Sequence, residues 1–207
     1  MTIIRPAETG MPEAVERASG VINKSGVIAY PTETFYGIGV KFDDCEALKK
    51  LYGMKHRPPE KALPLIIGDK RSLELIASSI PGPAEKLIEK FWPGPLTLLL
   101  PARSDVSEFI TAGTGKIAVR IPGESFALDL ARSIKYPITA TSANISGMPP
   151  ADNADDVLRY FGDVLDLIID CGKTPGGKPS TIVDASEEKI RFLRAGAVPR
   201  EEVFAAL

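Results

Sequence analysis

Histidine is almost missing from this chain: His56 is the only imidazole among 207 residues, and there are just two cysteines, Cys45 and Cys171. That scarcity removes whole classes of chemistry. A lone histidine beside Arg57 in a basic stretch supports no Ser/His/Asp or Cys/His set. Neither cysteine has a second Cys or a His at metal-ligand spacing, and no HExxH, CxxC or acidic dyad occurs anywhere. Both cysteines are expected to be reduced and packed. Covalent and zinc mechanisms fall away, so catalysis has to come from positioning and electrostatics, as in enzymes that act on phosphates.

Long apolar runs are lacking too. None approaches the roughly 20 residues of a membrane span, and Met1-Thr2-Ile3-Ile4-Arg5-Pro6 has no apolar signal-peptide core, so a cytoplasmic protein without a membrane partner is expected. No Ser/Gly linker, repeat or low-complexity tract divides the sequence, and a single domain over residues 1–207 is expected. Apolar residues at 44% and charged residues at 25% fit a globular domain, while the net charge of -2 argues against a generally basic nucleic-acid binder.

What is present alternates between helix and strand. Pro12 to Lys24 carries Ala14, Val15, Ala18, Val21 and Ile22 on one face, an amphipathic helix. A strand over Val27 to Tyr30 follows, and then a helix that Asp43 could cap, with Glu46 three residues on and Ala47, Leu48, Leu51 and Tyr52 buried. Leu63 to Ile67 reads as a short strand, and Arg71 to Ser78 and Ala84 to Phe91 as helices. Trp92-Pro93-Gly94-Pro95 launches Leu96 to Leu100, a fully apolar strand buried on both faces. Strands over 117–121, 138–141, 167–169, 181–184 and 190–193, with helices over 126–133, 155–161 and 200–206, complete an α/β pattern with a twisted mixed or parallel sheet.

One stretch organises the rest: Tyr30-Pro31-Thr32-Glu33-Thr34-Phe35-Tyr36-Gly37-Ile38-Gly39, where hydroxyls, one carboxylate and two glycines interrupt an apolar run. It reads as strand, shaped turn and close-packed backbone, either a Thr-capped turn or the floor of a site. Residues 49–61 hold Lys49, Lys50, Lys55, Arg57 and Lys61 against Glu60, five positive charges to one negative in a chain of net -2. Lys55 and Arg57, two apart in a loop stiffened by Pro58-Pro59, can point into one space and hold a phosphate. Thr141-Ser142-Ala143-Asn144-Ile145-Ser146-Gly147 puts hydroxyls and an amide at a strand's carboxyl end, where α/β sheets place ligands, though a Ser/Asn turn reads the same way. Arg120 and Arg194 each end an apolar strand, a costly position unless an acid or a ligand anion meets them. Gly172 to Lys178 opens like a P-loop but fails: Pro179 takes the Ser/Thr position and strand, not helix, follows.

Taken in order, YPTETFYGIG, KHRPPEK, FWPGPLTLLL, AVRIPG, TSANISG, PSTIVD and the Arg194 segment resemble the YrdC-like family, the L-threonylcarbamoyladenylate synthases. The resemblance covers nearly the whole chain. It implies a twisted α/β sheet with a concave basic pocket in which L-threonine, bicarbonate and ATP become threonylcarbamoyl-AMP and pyrophosphate, feeding a downstream tRNA-modifying complex. Matched residue by residue, it puts Thr34, Arg120 and Ser180 on the threonine, and Arg57, Lys61, Ser142, Asn144 and Arg194 on the ATP, with Lys55 and Arg57 as the catalytic cations. Magnesium is expected on the ATP phosphates, with no dedicated protein cage. Longer relatives carry Asn-Pro after the basic loop, a His in the next strand and a second domain; here Lys61-Ala62 and Ile66 stand at those places. The same resemblance carries an alternative, a module binding tRNA or double-stranded RNA directly.

Overall fold

The computed structural model describes residues 1–207, the side chain of Asp163 excepted. After β1 (Thr2–Ile4) and the single turn α1 (Pro6–Thr9), helix α2 (Met11–Ile22) buries Ala14, Val15, Ala18 and Ile22, the stripe its spacing requires. Strands β2 (Ile28–Pro31) and β3 (Tyr36–Gly39) run antiparallel, joined by the turn that the hydroxyl-rich stretch anticipates. Helix α3 (Cys45–Met54) is capped one residue later than expected: the Asp44 carboxylate, not Asp43, accepts from Ala47 N at 3.0 Å.

Next come β4 (Leu65–Ile66), a 3-10 turn over Lys70–Leu75 where an α-helix was expected, α4 (Gly82–Phe91), β5 (Leu96–Pro101), α5 (Glu108–Thr111), β6 (Lys116–Arg120) and α6 (Phe126–Ile134). The chain closes with β7 (Ile138–Thr139), β8 (Thr141–Ser142), α7 (Ala154–Phe161), β9 (Leu167–Ile169), β10 (Thr181–Asp184), β11 (Arg191–Arg194) and α8 (Arg200–Phe204). No helix is long and apolar enough to cross a membrane, among the described residues.

The α/β class holds, but the strands divide between two mixed sheets, ordered β1-β9-β2-β3-β8 and β11-β10-β5-β6-β4-β7. Residues 138–142 stitch the two together, where one strand over 138–141 was expected. β7 pairs with β4 in the six-stranded sheet, β8 pairs with β3 in the five-stranded sheet, and between them Ala140 N leaves both ladders to bond Pro64 O at 2.8 Å. The crossing is fixed by side chains: Thr139 Oγ1 donates to Ile38 O and accepts from Val40 N, while the buried Tyr30 hydroxyl donates to Thr139 O at 2.6 Å. Helices α2 and α6 pack Ala14, Ala18, Ala127 and Ala131 into one core with Ile28, Tyr30 and Ile169 of the five-stranded sheet. The larger core joins α3, α4 and the apolar strand β5. The two cysteines are free as expected but exposed, not packed: Cys45 opens α3 at the surface and Cys171 follows β9.

Candidate active site

A cavity of about 600 Å³ lies over the six-stranded sheet, walled by the Thr32–Tyr36 turn on one side and the Ser142–Pro150 loop on another. Strand alternation explains its floor. On β6 the residues at spacing two, Lys116, Ala118 and Arg120, all face the cavity; so do Thr97 and Leu99 of β5, and Ser180 and Ile182 around the start of β10. Apolar side chains such as Leu99, Ala118 and Ile182 share that floor with cations and hydroxyls.

The turn is built by one hydroxyl. Thr32 Oγ1 donates to Phe35 O at 2.7 Å and accepts from the backbone of Thr34 and Phe35 at 3.1 and 3.3 Å. Its only proton is therefore committed, so Thr34 must be the donor in the 3.1 Å contact between the two hydroxyls. That leaves the Thr34 lone pairs as acceptors facing the cavity. Gly176 N bonds Thr34 O at 2.9 Å, which makes the glycine-rich stretch a brace behind the turn, and β10 follows it with no helix, so it is no P-loop.

Arg120, 7% exposed, pairs through Nη1 with Glu33 Oε1. Across the floor, Arg194 Nε and Nη2 donate to Ser180 O at 3.1 and 2.8 Å, and Nη2 also reaches the Ser180 hydroxyl, which bonds Thr97 Oγ1 at 2.9 Å. Burial, with Arg120 nearby, lowers the Arg194 guanidinium below its ordinary value. Arg57 Nε and Nη2 donate to the carbonyls of Lys61 and Ala62 at 3.0 and 2.5 Å, and burial lowers it as well. In the loop after β8, Ser142 Oγ donates to Asn144 Oδ1 at 2.5 Å, and Asn144 Nδ2 donates to the carbonyls of Met148 and Ile145.

Thr34, Arg57, Arg120, Ser142, Asn144, Ser180 and Arg194 thus meet in one cavity. Lys55 and Lys61 do not line it. The Lys61 side chain is exposed, and its carbonyl rather than its ammonium is engaged, by Tyr52 and Arg57. Lys55 is 1% exposed and turned inward: its Nζ donates to Ser142 O and Asn144 O, both at 2.5 Å, with the Phe161 ring 5.9 Å away. It ties the basic loop to the Ser142 loop. Burial, then the charge of Arg57, pushes its ammonium down to about 7. Three lining or near-lining residues escape the motif reading: Thr97 and Lys116 of the floor, and Glu33 behind Arg120. The period-two alternation Lys116-Ala118-Arg120 was the signal for the second of these.

The sequence matches the family model Sua5_yciO_yrdC, described as Telomere recombination, over residues 20–196. It is 40% identical to the threonylcarbamoyl-AMP synthase of Pyrococcus abyssi over 98% of this chain and 60% of that one. With the enzyme of the same name from Idiomarina loihiensis it shares 36% identity over 87% of this chain and 97% of that one. The crystal structure of P. abyssi Sua5 complexed with L-threonine superposes with a TM-score of 0.93 at 39% identity, over the whole of this chain and 61% of that one. The chain therefore spans less than two thirds of the first relatives it matches. Model match and identities together establish that the chain belongs to the Sua5/YciO/YrdC family.

Proposed function

We propose that the chain makes L-threonylcarbamoyl-AMP from L-threonine, bicarbonate or carbon dioxide, and ATP, releasing pyrophosphate for the first step of tRNA threonylcarbamoyladenosine formation in the cytoplasm. The observation that carries this is a cavity with four cations, Arg57, Lys116, Arg120 and Arg194, with hydroxyls at its margins and no carboxylate among its lining residues. Relatives named for this reaction, one of them of nearly the same span, support it.

The chemistry asks for such a surface. The threonine nitrogen, as the free amine, bonds to the carbon of bicarbonate or carbon dioxide, giving a carbamate; from bicarbonate water is lost, and from carbon dioxide the amine's proton goes to solvent. A carbamate oxygen then bonds to the α-phosphorus of ATP while the bond to the bridging oxygen breaks and pyrophosphate departs. The carbamate and ATP that react are both anionic, so the barrier is largely repulsion, and preorganised cations lower it. In this reading Arg120, Thr34 and Ser180 hold the threonine, its carboxylate on the guanidinium and its N–H or O–H on the Thr34 lone pairs. Arg57, Arg194, Ser142 and Asn144 face the phosphates, with Lys61 at the outer edge. Lys55 acts through the backbone it ties, setting the carbonyl ends of the Ser142 loop. Magnesium arrives on the phosphates of ATP as part of that substrate; the hydroxyl, amide and guanidinium lining fits a nucleotide-borne ion with its waters. The product passes to a tRNA-modifying partner. Direct RNA binding is not favoured, because the cations line a concave cavity and duplex RNA is held along extended basic surface.

Pyrophosphate release, measured with threonine, bicarbonate and ATP omitted in turn, tests the proposal. Release should need all three, and release without threonine overturns it. Arg57→Ala should abolish turnover with the fold intact, and Thr34→Ala should raise the KM for threonine far more than that for ATP. An equal rise in both KM values would move Thr34 off the threonine.

A further inference from the structure

The four cations of the cavity differ in what holds them. Arg57 and Arg194 hydrogen-bond only neutral oxygens, the carbonyls of Lys61, Ala62 and Ser180 and the Ser180 hydroxyl. Lys116 and Arg120 each carry a carboxylate, Asp184 and Glu33. Asp184 is saturated: Lys116 and Arg191 meet one oxygen, and Ser186 meets the other through its hydroxyl and its amide. Glu33 is not. Its Oε1 meets Arg120 Nη1, while its Oε2 is buried without a hydrogen-bond partner, the only such side-chain atom among the described residues.

Buried polar atoms normally find partners, and an orphan calls for a reason. A bidentate pair would satisfy both oxygens but would occupy a second guanidinium N–H. The single-point pair leaves the other N–H groups of Arg120 without a partner among the described residues, on a side chain that lines the cavity. Glu33 itself does not line it. Its stem packs beside Gly123, where an added Cβ would come within 3.2 Å of the Glu33 Cγ.

We infer that Glu33 is a positioning residue that sets specificity: by holding Arg120 at one point and cancelling its charge, it fits that end of the cavity to a zwitterionic amino acid and not to a phosphate. The inference rests on the threonine-and-ATP reading of the cavity. An amino acid is net neutral and gains from a donor array without excess charge. A polyphosphate gains in proportion to uncompensated positive charge, which is greatest at Arg57 and Arg194, the two cavity cations that meet no carboxylate. One hollow can then hold both substrates without either occupying the other's place.

Isothermal titration of the full chain tests this without turnover, using L-threonine and inorganic pyrophosphate as probes on the parent, Glu33→Gln and Glu33→Asp. Glu33→Gln keeps the shape and removes the charge. It should weaken threonine about tenfold or more, and pyrophosphate should now compete with threonine, as it does not in the parent. Glu33→Asp keeps the charge and shortens the reach, so it should weaken threonine without creating the competition, which also serves if the Gln variant does not fold. Threonine bound equally by all three proteins, or weakened in Glu33→Gln with no new competition, overturns the inference and leaves the enzyme reading standing. A parent that binds no threonine overturns both.

Discussion

Lys55→Met separates a lysine that touches substrate from one that shapes the site. The ammonium sits 2.5 Å from both Ser142 O and Asn144 O and is 1% exposed. Methionine nearly matches the stem but leaves two buried carbonyls short of a donor, at about 1–3 kcal/mol each, partly offset because no ammonium is then desolvated. A net loss of about 2–4 kcal/mol is expected at pH 7. The pH dependence sharpens the test. Burial holds the native pKa near 7 against 10.5 for the free side chain, so between those values the unfolded chain binds more protons than the folded one. Stability carried by this group therefore rises with pH over that window, at about 1.4 kcal/mol per unit. Methionine has no proton to lose, so the gap in stability between parent and variant should widen from pH 7 toward pH 10. Urea unfolding followed by the fluorescence of Trp92, the single tryptophan and largely buried, gives the gap at each pH. A gap that stays flat, or a variant as stable as the parent at pH 7, refutes the burial argument. Turnover should fall through a higher KM for ATP, because the Ser142 loop is no longer tied.

Asp184 titrates in the opposite sense. Burial works against its ionised form, but hydrogen bonds from Lys116 and Ser186 outweigh it and hold the carboxyl at about 2. The unfolded carboxyl takes up its proton first as pH falls, so the stabilisation is complete above about pH 4 and drains away toward pH 2. Asp184→Asn should cost about 1–3 kcal/mol at neutral pH and flatten the acid limb of the unfolding curve; an unchanged limb would mean the pair is not formed. Gly39→Ala should cost about 1–3 kcal/mol through overpacking, since its Cβ would lie 2.5 Å from the buried Tyr30 ring, whereas at Gly37 the nearest atoms are an ordinary 3.7 Å away. Equal thermal stability of the two alanine variants would refute the steric reading.

That contrast bears on how much the sequence discloses. Gly37 and Gly39 look alike in the string and both sit in regular strand, with no left-handed backbone at either; only the Tyr30 ring distinguishes them, and no local pattern states where that ring goes. The apolar run 96–100 and the stripe from Ala14 to Ile22 were legible because period and burial are local properties. The split of residues 138–142 between two sheets was not, because it depends on Pro64 and Val40 arriving from elsewhere. The site shows the same division. Hydroxyls and arginines at strand ends declared themselves by their cost, but Lys55 and Arg57, two apart, were expected to share one space. Between them His56 adopts a left-handed φ of 48°, which turns the chain so that Lys55 enters the core while Arg57 lines the cavity.

The net charge of -2 belongs to the same lesson about distance. Lys116 is paired with Asp184, 68 residues on, and Arg120 with Glu33, 87 residues back. Averaged over the chain, these acids make the protein look unsuited to polyanions. In space Glu33 offsets Arg120 and Asp184 is shared between Lys116 and Arg191, while Arg57 and Arg194 are held by carbonyls and a hydroxyl alone. Carbonyls fix a guanidinium in place without cancelling its charge, so its field is already aimed when an anion arrives, and nothing has to reorganise as charge develops. Partial burial lowers both guanidiniums, which is the cost of holding that field at the wall of the cavity.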